Sequence, residues 1–145
     1  MCGIVGYIGK SPEGKKVVLE GLYRLEYRGY DSAGIAYVSD EEIKVVRAKG
    51  AVKGLDEKCS DVPYQDLAIG HTRWATHGKP SEENAHPHTS FRGELAIVHN
   101  GIIENYKHLK EILMDDGYIF RSETDTEVLA NWIEYTKLKN DSSLE

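Results

Sequence analysis

The amino terminus is a strand headed by a cysteine. Cys2 to Ile8 alternates small and apolar residues and includes the β-branched Ile4, Val5 and Ile8, the pattern of a half-buried strand. Cleavage after Met1 leaves Cys2 with both a thiol and a free α-amine. A thiol attacks as its thiolate, and an α-amine, with a reference pKa of about 7.7–8.0, accepts the thiol proton near neutral pH. One residue then supplies nucleophile and base. While Met1 stays on, the Cys2 nitrogen is an amide without basicity; Cys2 is small, which suits removal of the methionine. Taken by itself, the stretch reads as a buried, inert thiol, because free cysteine is often buried. Residues far down the chain reverse that reading.

The 145 residues are one domain's worth of chain, enough to bury a core. Lys and Arg number 18 against 24 Asp and Glu, a net charge of −6, which argues against non-specific nucleic-acid binding and against an acidic membrane surface. No apolar run approaches a membrane span, and the N-terminus lacks the basic segment and long apolar core of a signal peptide. Two cysteines, Cys2 and Cys59, make no disulfide framework. A reducing, cytoplasmic location is expected, and it would keep Cys2 reduced.

Along the chain, Ser11-Pro12-Glu13 predicts a helix start with Ser11 as cap, the helix running to about Tyr27 with Val18, Leu22 and Leu25 on one stripe. A dense glycine and polar loop follows, then a strand at Ile35 to Val38 whose hairpin partner is Glu42 to Ala48, turning near Ser39-Asp40-Glu41. A short helix is expected over Ala51 to Lys58 and a short strand over Leu67 to Gly70. A long loop from His71 to about Phe91 holds four of the six histidines. Further strands are predicted at Glu94 to His99 and Tyr118 to Phe120, with a helix between them from Tyr106 to about Asp116 capped by Asn105. A last helix runs to about Lys137 and carries Val128, Leu129, Trp132 and Ile133. Hairpins mixed with separate helices indicate a largely antiparallel α+β domain.

Three blocks carry candidate chemistry. In Gly70-His71-Thr72-Arg73-Trp74-Ala75-Thr76-His77-Gly78, the Arg73 guanidinium suits a carboxylate held by two parallel hydrogen bonds, or else pairs with a local acid on the surface. In His99-Asn100-Gly101, a strand-end Asn followed by Gly offers a side-chain NH₂ and a backbone N–H side by side, the donor pair of an oxyanion hole; an ordinary turn reads the same way. In Ser122-Glu123-Thr124-Asp125, Asp125 suits a substrate ammonium, while Ser122 or Thr124 suits a helix cap. His71, His77, His86 and His88 lack metal-site spacing, so no metal is expected, and His77 and His86 are expected to order the loop by hydrogen bonds.

Taken together, Met1-Cys2-Gly3-Ile4-Val5-Gly6, Arg28-Gly29-Tyr30-Asp31-Ser32-Ala33-Gly34, the Gly70–Gly78 block, His99-Asn100-Gly101-Ile102-Ile103-Glu104-Asn105 and Ser122-Glu123-Thr124-Asp125-Thr126-Glu127 resemble the glutaminase domain of class II glutamine amidotransferases. Within that class, the second and third blocks resemble the glutamine–fructose-6-phosphate aminotransferase family rather than the purine-pathway enzymes or asparagine synthetase. The resemblance spans the chain from Met1 to about Glu127. It implies an N-terminal-nucleophile hydrolase fold, a four-layer αββα sandwich. It implies that Cys2 attacks the side-chain amide of L-glutamine, that Asn100 and the Gly101 N–H hold the oxyanion, and that Arg73 and Asp125 bind the α-carboxylate and α-ammonium. Thr76 and His77 would line the same pocket, and Trp74 would sit where the glutaminase meets its partner and help control ammonia passage. No cofactor is implied. The implied partner is a sugar-phosphate isomerase domain acting on fructose 6-phosphate, and a homodimer is among the assemblies the resemblance allows.

The departure from the family is length. Its glutaminase domain continues beyond residue 145 with further sandwich strands, so residues 1–145 are expected to form that domain in part, with the C-terminal part and the isomerase domains absent. Such a sandwich should expose strand edges and apolar faces. Three functions stay open: the glutaminase part of a larger synthase, a stand-alone ammonia-donating glutaminase, and a non-catalytic module that binds glutamine or docks a partner. The intact set of Cys2, Arg73, Asn100, Gly101 and Asp125 argues against a decayed site.

Overall fold

The computed structural model describes residues 1–75 and 78–141. Strand β1 (Gly3–Ile8) leads into helix α1 (Gly14–Leu25) and a single 3₁₀ turn, and the hairpin β2 (Ser32–Ser39) and β3 (Glu42–Lys49) follows. Helix α2 (Val52–Lys58) returns the chain to strand β4 (Leu67–Arg73). Two-residue strands β5 (His88–Thr89) and β6 (Ala96–Ile97), then helices α3 (Tyr106–Asp115) and α4 (Asp125–Asp141), complete the order.

The first four strands make one antiparallel sheet in the order β1-β4-β2-β3. Its hairpin turns on Asp40 and Glu41, both at positive φ (53° and 62°), as a two-residue turn matched to strand twist requires. One face packs on α1 and α2: Val18 and Leu22 of α1, Val52 and Leu55 of α2, and Ala33, Ile35, Ala48 and Ala68 of the sheet are all buried together. Full burial of each larger side chain contributes roughly 1.5–3 kcal/mol. Strand periodicity sends the alternate residues of β4, namely Ile69, His71 and Arg73, to the opposite face. There the His86 carbonyl lies so close over Gly34 of β2 that a Cβ at Gly34 would stand 2.0 Å from it, so only glycine fits.

Beyond that face lies the β5–β6 pair, in register His88↔Ile97 and Thr89↔Ala96, backed by α4; α3 packs on α4, and Leu113 of α3 and Val128 of α4 are both buried. Helices, sheet, short sheet and helices give the four layers of an αββα sandwich. The second sheet is short, and apolar side chains on the opposite face of β1 and at the sheet rim stay open to solvent, with Ile8 83% and Ile4 44% exposed.

Four local expectations are corrected. Tyr118 to Phe120 is not a strand: Gly117, at φ 91°, ends α3 in a Schellman turn, with the Gly117 N–H on the Met114 carbonyl and the Tyr118 N–H on the Leu113 carbonyl at 2.9 Å. Ser11 does not cap α1. The helix starts at Gly14, where Gln65 takes the first donors: its carbonyl accepts the Gly14 N–H at 2.8 Å and its side-chain oxygen the Lys15 N–H at 3.1 Å. Asn105 is the N-cap residue of α3, but its side chain makes no capping bond. The expected loop at His71 begins only after Arg73, because β4 pairs with β1 as far as Thr72 and with β2 as far as Arg73.

Candidate active site

The continuation of β4 through Arg73 builds the site. The Gly3 N–H donates to Thr72 Oγ1 at 3.1 Å, which fixes the start of β1 against β4. Cys2 therefore lies beside the end of β4: its Sγ accepts the Trp74 N–H at 3.1 Å and donates to the Trp74 carbonyl at 3.5 Å. Cys59 differs. It is 1% exposed, and burial pushes its thiol up to about 11, so it stays protonated and inert. Trp74 is half exposed and meets Tyr30 edge-on at 5.6 Å.

Arg73 is buried, with Nη1 donating to the Lys79 carbonyl at 3.3 Å and Nη2 to the Gly78 carbonyl at 3.2 Å. Burial pulls its pKa down, while the nearby charges of Asp31, Cys2 and Asp125 support the cation. Asn100 Nδ2 donates to the Cys2 carbonyl at 3.0 Å, bringing residues 98 apart in sequence into contact. Gly101 follows at φ 143°, a conformation L side chains rarely adopt, and a Cβ there would stand 3.1 Å from His99 Nε2. Asp125, buried in the first turn of α4, accepts the Ile103 N–H on Oδ2 at 2.7 Å and so ties the Asn100–Ile103 loop to the helix. Its negative charge there suits the positive end of the helix.

Cys2, Arg73, Trp74, Gly101 and Asp125 line one cleft of about 210 Å³. Asn100 immediately precedes Gly101 and is bonded to the Cys2 carbonyl. The cleft thus gathers a thiol, a cation, a carboxylate and a glycine turn from four separate stretches of chain. Thr76 and His77 lie outside the described residues.

A model of the family described as "Glutamine amidotransferase domain" matches residues 39–139. The chain belongs to this family. It is 55% identical over 136 residues to glutamine–fructose-6-phosphate aminotransferase [isomerizing] of Clostridium tetani, covering 93% of this chain and 22% of that protein. It is 58% identical over 137 residues to the Thermus thermophilus protein of the same name, covering 94% of this chain and 22% of that one. The chain therefore spans little more than a fifth of the length of these relatives. Among solved structures it is similar to glutamine phosphoribosylpyrophosphate (PRPP) amidotransferase from B. subtilis complexed with ADP and GMP, with a TM-score of 0.77 and 30% identity over 99% of this chain and 33% of that one.

Several groups that build this cleft escaped sequence reasoning. Asp31 accepts the Ser32 hydroxyl on Oδ1 at 3.0 Å and the Ala75 N–H on Oδ2, and its own N–H donates to the Arg73 carbonyl, so it clamps the chain on either side of Trp74. The polar density of its loop was the only signal. His71, His86 and His88 are buried in a column: His71 stacks on His86 with centroids 4.2 Å apart, and His88 meets His86 edge-on at 4.8 Å. As expected for a loop-ordering residue, His86 takes a hydrogen bond, its Nδ1 accepting the His99 N–H at 3.4 Å. His88 Nε2 pairs with Thr124 Oγ1 at 2.9 Å, just before α4.

Burial lowers all three histidines, His71 to about 4, His88 to about 3, and His86 further still under the added influence of its neighbours. Each is neutral when folded at pH 7 but titrates near 6.5 when unfolded. Below pH 6.5 the unfolded chain therefore binds more protons, so stability is full above 6.5 and is lost as pH falls towards the folded values. The lowering at His71 alone corresponds to ~3 kcal/mol. The melting temperature should fall steeply between pH 6.5 and 4.5. A flat profile over that range, measured by thermal unfolding, would contradict three buried neutral rings.

Proposed function

We propose that this chain hydrolyses L-glutamine to glutamate and ammonia through Cys2. The observation that carries the proposal is the convergence in one cleft of Cys2, Arg73, Asp125 and the Asn100–Gly101 turn. Glutamine has a carboxylate, an ammonium and a side-chain amide, and each meets a matching group. Arg73 holds the α-carboxylate, Asp125 the α-ammonium, and Cys2 Sγ attacks the amide carbon. Thr76 and His77 complete the substrate pocket in this assignment.

Once Met1 is removed, the Cys2 α-amine takes the thiol proton. Sulfur forms its bond to the amide carbon, and the carbonyl electron pair moves onto oxygen, where the Asn100 amide and the Gly101 N–H receive it. Collapse expels nitrogen, which leaves as ammonia after taking the proton from the amine. Water then adds to the γ-glutamyl thioester, and a second oxyanion collapses to free glutamate and the Cys2 thiol. The two steps sum to glutamine plus water giving glutamate plus ammonia.

We read residues 1–145 as the glutaminase part of a glutamine–fructose-6-phosphate aminotransferase, in which ammonia converts fructose 6-phosphate to glucosamine 6-phosphate on a sugar-phosphate isomerase domain. High identity to proteins of that name supports this assignment. In this reading Trp74, half exposed on the cleft lining, faces that domain and helps control ammonia passage. Among the described residues no helix is long and apolar enough to cross a membrane, and a cytoplasmic enzyme, assembled as a homodimer, is the form we propose.

Arg73→Ala tests the substrate assignment. Removing the cation from the α-carboxylate should raise KM for glutamine and lower kcat/KM by roughly 10- to 100-fold, the effect of losing a charge-assisted contact of about 1.5–3 kcal/mol. Unchanged kcat/KM in a folded Arg73→Ala chain would reject the carboxylate role. If the Met1-free chain releases no glutamate from glutamine, the hydrolase proposal itself fails.

A further inference from the structure

Asn100 is largely exposed, and an exposed carboxamide turns freely unless something holds it. An oxyanion donor must be aimed before the reaction begins, because preorganisation is the source of its effect. Two contacts bear on its orientation. Nδ2 donates to the Cys2 carbonyl at 3.0 Å, and Oδ1 lies 2.8 Å from His71 Nε2. The second contact comes from beneath the site, from the inward face of β4, where His71 is 0% exposed and its ring lies parallel to that of His86 at 4.2 Å.

The donor sense follows from chemistry. Both Asn100 Oδ1 and the Cys2 carbonyl are acceptors only. Were the carboxamide flipped, Oδ1 would face the Cys2 carbonyl at about the same distance, two acceptors in repulsion. With Nδ2 on the carbonyl, His71 must present Nε2–H. Its Nδ1 is buried and makes no hydrogen bond among the described residues, whereas Nε2 has Asn100 Oδ1 at 2.8 Å.

We propose that His71 is a positioning residue for the oxyanion hole, its Nε2–H holding Asn100 Oδ1 so that the carboxamide nitrogen faces the reacting carbonyl. It touches no substrate. Drawing on Oδ1 also polarises the amide, which strengthens Nδ2 as a donor. The inference rests on the assignment of Asn100 to the oxyanion and names the residue that makes that assignment work. A buried histidine two residues before a substrate-binding arginine, on the same strand face, is where β periodicity would place such a support.

The test is a cycle of variants in the Met1-free chain, assayed for glutamate release. His71→Leu removes the donor and should lower kcat about tenfold, the scale of one neutral hydrogen bond, while KM stays within about twofold because Arg73 and Asp125 are untouched. His71→Gln places an amide N–H near the position of Nε2 and should recover most of the rate. In an Asn100→Ala background, His71→Leu should cost nothing further. A second measurement does not depend on turnover: in ¹⁵N-labelled chain at pH 7, His71 should carry its proton on Nε2, and the Asn100 carboxamide resonances should shift in His71→Leu. Additive losses in the double variant, equal rates for the Gln and Leu variants, a raised KM with unchanged kcat, or a proton on Nδ1 would each overturn the proposal. Should Asn100→Ala alone turn over normally, the oxyanion assignment falls first and the role of His71 with it. If His71→Leu does not fold, the Gln variant and the resonance assignment decide.

Discussion

Asn100→Ala should lose roughly 10²–10³ in kcat, with little change in KM. The expectation follows from where its amide acts. In the proposed assignment Asn100 meets neither the α-carboxylate nor the α-ammonium of glutamine, so ground-state binding should survive its removal. What disappears is a donor that becomes fully engaged only when the carbonyl oxygen turns negative, and loss of one such donor typically costs that much in turnover. The structure adds a reason to expect the upper part of the range. The same amide holds the Cys2 carbonyl at 3.0 Å, so truncation also releases the residue that carries the nucleophile. Steady-state glutamate release with glutamine above KM measures the effect. Near-normal turnover in a folded Asn100→Ala chain would remove Asn100 from the reaction.

A chain that keeps Met1 should be inactive, as should Cys2→Ala. With Met1 attached, the Cys2 nitrogen is an acylated amide and cannot take the thiol proton. Among the described residues Sγ hydrogen-bonds to no side-chain base, and the imidazoles in and beneath the cleft have other partners: His71 pairs with Asn100, His88 with Thr124 and His99 with Thr126, and His86 stacks on His71. Among the described residues the hydrogen bonds of Sγ are to the backbone of Trp74. General base assistance is worth roughly 10²–10⁴ in rate, so retention of Met1 should lower turnover at least a hundredfold. Intact mass and activity measured on the same preparation, before and after methionine removal, test this. Equal activity in the two forms would place the base elsewhere.

Much of this site was legible because its chemistry is bound to short, local patterns. Cys2 heads an alternating strand, and Asn100-Gly101 is a turn signal whose glycine does adopt positive φ. The hairpin at Asp40–Glu41 was equally local. What could not be read came from contacts distant in sequence. Gln65 caps α1 from 50 residues away, so the stronger local signal at Ser11 lost to a tertiary one. Tyr118 to Phe120 has strand-forming side chains, but Gly117 folds the backbone onto the end of α3, and among the described residues the segment pairs with no strand. The end of β4 was placed three residues early, because His71, Thr72 and Arg73 look polar; they are strand residues whose polarity serves the site. Asp31 and His71 gave no sign of their tasks. Each acts by holding another residue, Asp31 the chain around Trp74 and His71 the Asn100 amide, and a supporting contact has no sequence signature of its own.

The passage of glutamine through a covalent bond to Cys2 can be tested by trapping that bond. Met1-free chain mixed with glutamine and quenched in acid during turnover should carry one glutamyl group on the N-terminal peptide. Hydroxylamine should remove it, as it does a thioester, and Cys2→Ala should show neither adduct nor glutamate release. Glutamate release that continues in Cys2→Ala, or turnover with no adduct on the Cys2 peptide under conditions where the thioester would survive, would contradict it.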